Sequence, residues 1–159
     1  MVEQGVYPGR SGADQAAMNG HLEVLEWMAA LEPERIVYPG QRGADQAAMN
    51  GHLVVLKWMV GQGVYPGQSG ANEAAHYGHL KVLKWLATLE PKERRVYPDQ
   101  SGFYLAAENE QLDVLKWTAA LEPEWRRVYP SQGVADWAIR NRRLELLEWL
   151  REQGIHPNE

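Results

Sequence analysis

Apolar positions along the chain follow a helical period that glycine interrupts at intervals. The run Ala71-Asn72-Glu73-Ala74-Ala75-His76-Tyr77 is rich in helix formers and stops at Gly78, where a left-handed residue ends a helix. Leu80, Leu83, Leu86 and Leu89 then recur every third residue, with Val82 and Trp85 between them, which is the stripe of a second, amphipathic helix. Alanine pairs at Ala16-Ala17, Ala47-Ala48, Ala74-Ala75 and Ala106-Ala107 mark the first helix of successive copies. Their small faces predict close approach between neighbours.

The two-helix pattern is written five times. Val-Tyr-Pro opens the copies at Val6, Val37, Val64, Val96 and Val128, and Ile155-His156-Pro157 opens a partial sixth. At this repeat length a unit cannot bury its hydrophobic face alone and must stack on its neighbours. The pattern therefore predicts an all-α helix-turn-helix solenoid over 1–159, a single repeat domain with units at 6–36, 37–63, 64–95, 96–127 and 128–154. Helix is expected for well over half of the residues and strand for almost none, because the Val-Tyr-Pro turns leave no room for paired strands. Met1–Gly5 resembles the tail of a preceding second helix, so an excised part of a longer array is one expectation.

Composition narrows the function classes. The 159 residues are 45% apolar, enough for one continuous stacked core, and contain no cysteine, which excludes a disulfide framework and a thiolate zinc site. No run approaches the roughly 20 apolar residues needed to span a bilayer, so an intracellular protein that does not engage membrane is expected. The net charge of −5 argues against a nucleic-acid partner, which normally meets a basic footprint. There is no phosphate-cradling loop, nucleophile elbow or metal-ligand spacing, so neither enzymatic activity nor a metal or cofactor is expected.

The segments Ala-Ala-Met-Asn-Gly-His-Leu-Glu-Val-Leu at 16–25, Ala-Ala-Met-Asn-Gly-His-Leu-Val-Val-Leu at 47–56 and Ala-Ala-His-Tyr-Gly-His-Leu-Lys-Val-Leu at 74–83 resemble the inter-helix signature of the ankyrin repeat. The likeness recurs in phase and weakens where Glu110-Gln111 and Arg142-Arg143 replace Gly-His. The short, tryptophan-bearing copies are most similar to ankyrin arrays of large DNA viruses and protists. Some copies are shorter than the family's unit of roughly 33 residues, which implies shortened β-fingers. Only a hydroxyl N-cap, at Ser11 and Ser69, remains of the family's first-helix opening. The resemblance implies a concave first-helix face offered to another protein, with a homodimer or other self-association as the alternative.

Two aromatic ladders run through the units. Trp27, Trp58, Trp85, Trp117 and Trp149 hold one position of every second helix and are expected in the inter-repeat core. Tyr7, Tyr38, Tyr65, Tyr97 and Tyr129 are expected to pack over the adjacent proline with the phenol bonded to the backbone. His21, His52 and His79 are expected to hold the inter-helix turn by a backbone hydrogen bond. The Leu-Glu-Pro insertions at Leu31, Leu89 and Leu121 read either as a charged recognition rim or as tolerated surface loops.

Recognition is expected where the copies diverge. Asp14, Asp45, Asn72, Tyr104 and Asp136 vary, as do their first-helix neighbours. The candidate partner-binding residues are Tyr77, Tyr104, Trp137 and Arg140, with His76, Glu73 and Glu108 beside them, since aromatic residues and arginine dominate interface energetics. The near-identical first two units read as scaffold.

Overall fold

Each Val-Tyr-Pro turn leads into a pair of short helices. The computed structural model describes residues 6–158, so the expectation for Met1–Gly5 lies outside the described residues. The pairs are α1 (Arg10–Met18) with α2 (Leu22–Ala29), α3 (Gln41–Met49) with α4 (Leu53–Gly61), and α5 (Gln68–His76) with α6 (Leu80–Leu86). Two more follow, α7 (Gln100–Glu108) with α8 (Leu112–Ala119) and α9 (Gln132–Arg140) with α10 (Leu144–Glu152). No strand forms among the described residues, and the α-helices take up little more than half of the chain, less than expected.

Small residues let the first helices meet. Helices α1, α3, α5 and α7 stack in chain order, each also packing on its own second helix. The alanine pairs are buried at every level, and a Cβ added at Gly43, Gly70 or Gly102 would lie 3.0 Å from the Cα of Asp14, Asp45 or Asn72 in the preceding unit. Val134 holds the equivalent position in the fifth unit, and there α9 touches α7 only sparsely. Phe103, fully buried, fills the widened space, with its ring centroid 6.4 Å from that of Trp149.

The second helices supply the large core residues from the position after each tryptophan. Met28, Met59, Leu86, Thr118 and Leu150 are buried throughout. The indoles are not the core: Trp27 is 54% exposed, Trp58, Trp85 and Trp117 are half-buried against the core, and only Trp149 is buried. On a helix the adjacent residue turns about 100° away, and here that neighbour takes the inward direction.

Helices α1, α3 and α5 begin on glycine rather than on the expected serines. Gly9, Gly40 and Gly67 are the N-caps, and Ser11 and Ser69 lie inside the helices. The carboxylate comes from the preceding unit: the Gly40 amide donates to Asp14 Oδ1 at 2.7 Å, and the Gly67 amide to Asp45 Oδ1 at 2.7 Å. Asp99 and Ser131 cap the last two first helices: the Asp99 side chain accepts from the Ser101 and Gly102 amides, and Ser131 makes no side-chain cap bond.

At the inter-helix turns Gly20, Gly51 and Gly78 adopt φ between +73° and +76°, the left-handed region open to glycine. The turn's hydrogen bond is made by the main chain, for example His52 N donating to Ala47 O at 2.9 Å. The imidazole itself packs on the preceding unit, since a Cβ on Gly20 would lie 2.7 Å from His52 Nδ1, and one on Gly51 would lie 2.7 Å from His79 Nδ1. Glu110 and Arg142 hold φ of 55° without being glycine. Where Glu110 brings a side chain, the facing residue is Arg143, and the two form an ion pair at 3.4 Å.

The Leu-Glu-Pro insertions seat the tyrosine ladder. Each forms one 3₁₀ turn, Pro33–Arg35, Lys92–Arg94 or Glu124–Arg126. The turn sets a guanidinium over the tyrosine that opened the same unit: Arg35 lies 4.4 Å from the Tyr7 ring centroid, Arg94 4.6 Å from Tyr65 and Arg126 5.0 Å from Tyr97. Arg35 also donates to the Tyr7 hydroxyl at 2.6 Å, and Arg126 to the Tyr97 hydroxyl at 2.9 Å. Among the described residues the expected phenol-to-backbone bond appears only as a long contact of Tyr97 Oη to Ala87 O at 3.5 Å. The second unit has no insertion, and its Tyr38 ring lies 6.3 Å from that of Trp58 instead.

Candidate functional site

Side chains that vary between copies separate, once placed, into those bound to the scaffold and those left over. Asp14 and Asp45 belong to the scaffold through the bonds to Gly40 and Gly67. At the third boundary the acid has changed sides: Asn72 Oδ1 accepts from the Asp99 amide at 3.1 Å, and Asn72 Nδ2 donates to Asp99 Oδ1 at 3.0 Å. Asp136 closes the series, accepting from the Asn158 amide at 3.2 Å. These positions join one unit to the next, which corrects their placement among recognition residues. The compensated exchange of Asn72 with Asp99 was the signal in the sequence.

Tyr104 stands at the same position without that bond. It is 38% exposed, and partial desolvation raises its phenol pKa, with further raising from the charge and hydrogen bond of Glu108. The Arg140 charge works in the opposite direction, so a phenol, a carboxylate and a guanidinium from α7 and α9 share one patch. Arg140 Nε also donates to Asp136 O at 3.3 Å.

On α5, His76 Nδ1 lies 3.4 Å from Glu73 Oε2, and its ring stacks on Tyr77 at 4.4 Å with an interplanar angle of 16°. Tyr77 is the C-cap residue of that helix and is 52% exposed. The expected residues thus form two groups, Glu73 with His76 and Tyr77, and Tyr104 with Glu108 and Arg140. Trp137 departs from expectation. It is half-buried against the core, with the Arg143 guanidinium 5.8 Å from its ring centroid, so much of its surface is already covered.

The first-helix face is indented mainly over the units read as scaffold, with Glu73 the one expected recognition residue at its edge. Grooves of about 480 Å³ and about 380 Å³ lie over the first three units, the former lined in part by Arg10, Gln15 and Met18 and the latter by Gln46, Met49 and Glu73, with Arg42 common to both.

The charged rim is largely committed within the molecule. Arg95 Nε donates to Leu89 O and Arg127 Nε to Leu121 O, each at 2.9 Å, and their guanidinium ends pair with Glu90 and Glu122. Among the described residues, no cluster of histidine and carboxylates could hold a metal ion, and no helix is long and apolar enough to cross a membrane. Neither a protein-family model nor a curated protein matches the chain.

Proposed function

We infer that the chain is a non-enzymatic, intracellular protein-binding module built as an ankyrin-like solenoid with shortened β-fingers, and that it presents the first-helix face of units three to five to another protein. The observation that carries this is Tyr104. Every other boundary spends this position on a bond between units, and the fourth unit forgoes it for a part-exposed phenol set among Glu108 and Arg140. A position released from the scaffold's own demands marks a local rule broken for function. Tyr77 adds a second exposed ring on α5, and rigid helices under both rings keep the ordering entropy lost on binding small.

The test is partner capture by the immobilised chain, followed by alanine substitution of Tyr77 and Tyr104. Loss of the captured protein with unchanged circular dichroism supports the assignment, and undiminished capture refutes it.

Self-association is the second reading. Val24 is 38% exposed at the first unit, whereas Val55, Val82, Val114 and Leu146 at the same position are buried. Concentration-dependent sedimentation would favour this reading over a monomeric adaptor.

A further inference from the structure

The second-helix face carries a charge pattern that the first-helix reading does not use. The residue before each tryptophan is Glu26, Lys57, Lys84, Lys116 and Glu148 in successive units. The three middle units are thus basic at this position and the two outer units acidic. Lys81 adds a fourth cation on α6, and all four lysines are exposed. Among the described residues none of them forms an ion pair, whereas Arg35, Arg95, Arg127 and Arg143 all do. Asp113 is the one acidic residue on α4, α6 and α8, so a chain with net charge −5 holds a cationic band over α4 and α6, which at Lys116 meets Glu110, Asp113 and Glu145 in a shared groove.

Shape accompanies the charge. A groove of about 500 Å³ between α4 and α6 is lined by Leu53, Leu80, Val82, Lys81 and Lys84. Half-buried Trp58, Trp85 and Trp117 follow the three lysines in sequence and pack against the core. Apolar lining with unpaired cations at its edge suits a ligand that is both anionic and side-chain bearing.

We propose that Lys57, Lys84 and Lys116, with Lys81 and the groove between α4 and α6, dock a short acidic segment of another protein. Helices packed side by side lie about 8–10 Å apart, and an extended peptide advances about 10 Å in three residues. The fitting ligand is therefore an extended peptide with a carboxylate at every third position, long enough to meet three units. Glu26 and Glu148 bound the band and repel an anion that runs past it, which disfavours a long phosphate backbone. The surface is independent of Tyr104 and Tyr77, which lie on the first helices.

The test uses a fluorescein-labelled twelve-residue peptide with Glu at every third position and Ser or Gly between, read by fluorescence anisotropy at low ionic strength. Saturable binding is expected, weakening with salt and falling at least about tenfold in the Lys57→Glu, Lys84→Glu, Lys116→Glu triple variant, since each exposed pair contributes little alone but the three act together. Tyr104→Asp is expected to bind the peptide as the parent does. Circular dichroism checks that the triple variant is folded, and a Lys84→Gln, Lys116→Gln double variant gives a graded loss if it is not. Absence of saturable binding by the parent chain, or equal binding by folded charge variants, overturns the proposal. Tighter binding of a twelve-residue oligothymidylate or of phosphatidylserine vesicles overturns it in favour of a phosphate ligand. Self-association abolished by Lys84→Glu overturns it in favour of a second copy.

Discussion

The Gly40 amide donates to Asp14 Oδ1 at 2.7 Å, and this bond crosses the boundary between two units. A helix N-terminus leaves main-chain amides unsatisfied, and a side chain of the same segment usually meets them. Here the preceding unit meets one of them instead, so α3 and α5 are each completed only when the unit before them is folded. The arrangement couples the units more tightly than apolar stacking alone.

Asp14→Ala is accordingly expected to destabilise the chain by about 1–2 kcal/mol, the range of a lost cap. Urea unfolding followed by circular dichroism measures it. A cost below about 0.3 kcal/mol, far under that range, would show that the bond contributes nothing beyond stacking.

Two aspartates at the same position of the repeat should titrate in opposite directions. Burial raises the pKa of Asp45 above 3.8 despite the amides of Gly67 and Gly70, which lower it. Asp136 is lowered below 3.8, first by Gln132 and then by the Asn158 amide. A raised folded-state value means that the charged carboxylate is disfavoured by folding. The contribution of Asp45 is therefore fully present below 3.8 and is lost as pH rises through the folded value. That of Asp136 is present above 3.8 and is lost as pH falls through its folded value. Asp45→Asn is expected to be at least as stable as the parent at pH 7, with the advantage shrinking toward pH 3; melting curves across that range decide it. Asn72 already serves in this role.

The core should be more sensitive beside the tryptophans than at them. Met59→Ala removes a fully buried side chain and is expected to cost about 2–5 kcal/mol, a large part of the stability of a small domain. Trp27→Ala removes a ring that is 54% exposed and is expected to cost much less. Trp149→Ala, which opens the space shared with Phe103, is expected to match Met59→Ala. Thermal denaturation of the three variants orders them, and a Trp27 variant as damaged as the other two would contradict this account.

The helix pairs were legible because Val-Tyr-Pro and the alanine pairs mark each first helix and Leu80, Leu83 and Leu86 mark the second. What was not legible depends on closure of the units. A period near three and a half cannot say whether Trp58 or Met59 turns inward when both are apolar. The partnership of Arg35 with Tyr7 spans 28 positions and exists only because the insertion folds back over its own unit's opening turn. Tyr77 and Tyr104 could be singled out as departures from the repeat, but so could Asn72, and only the bond to Asp99 shows that Asn72 is structural. Trp137 looked like an exposed anchor because the packing of Arg143 on it follows from Glu110, one unit earlier.

Tyr104 separates recognition from stability more cleanly than any other residue on the first-helix face. Among the described hydrogen bonds its side chain makes none to the Ser131 side of the boundary, and the charges of Glu108 and Arg140 act on its phenol in opposite directions. Tyr104→Asp restores the residue used in three other units while removing the ring. Because Val134 and Phe103 keep α9 away from α7, the new carboxylate gains little, and stability should change by less than about 1 kcal/mol, as at most exposed positions. Partner binding should weaken by about 2 kcal/mol or more, the cost of losing a central aromatic anchor. Gln15→Ala and Gln46→Ala serve as controls on the first two units and should weaken it much less. Calorimetric titration of the captured partner against each variant supplies the numbers. If Tyr104→Asp binds as the parent does while Gln15→Ala and Gln46→Ala do not, recognition belongs to the grooves over the first three units and this assignment fails.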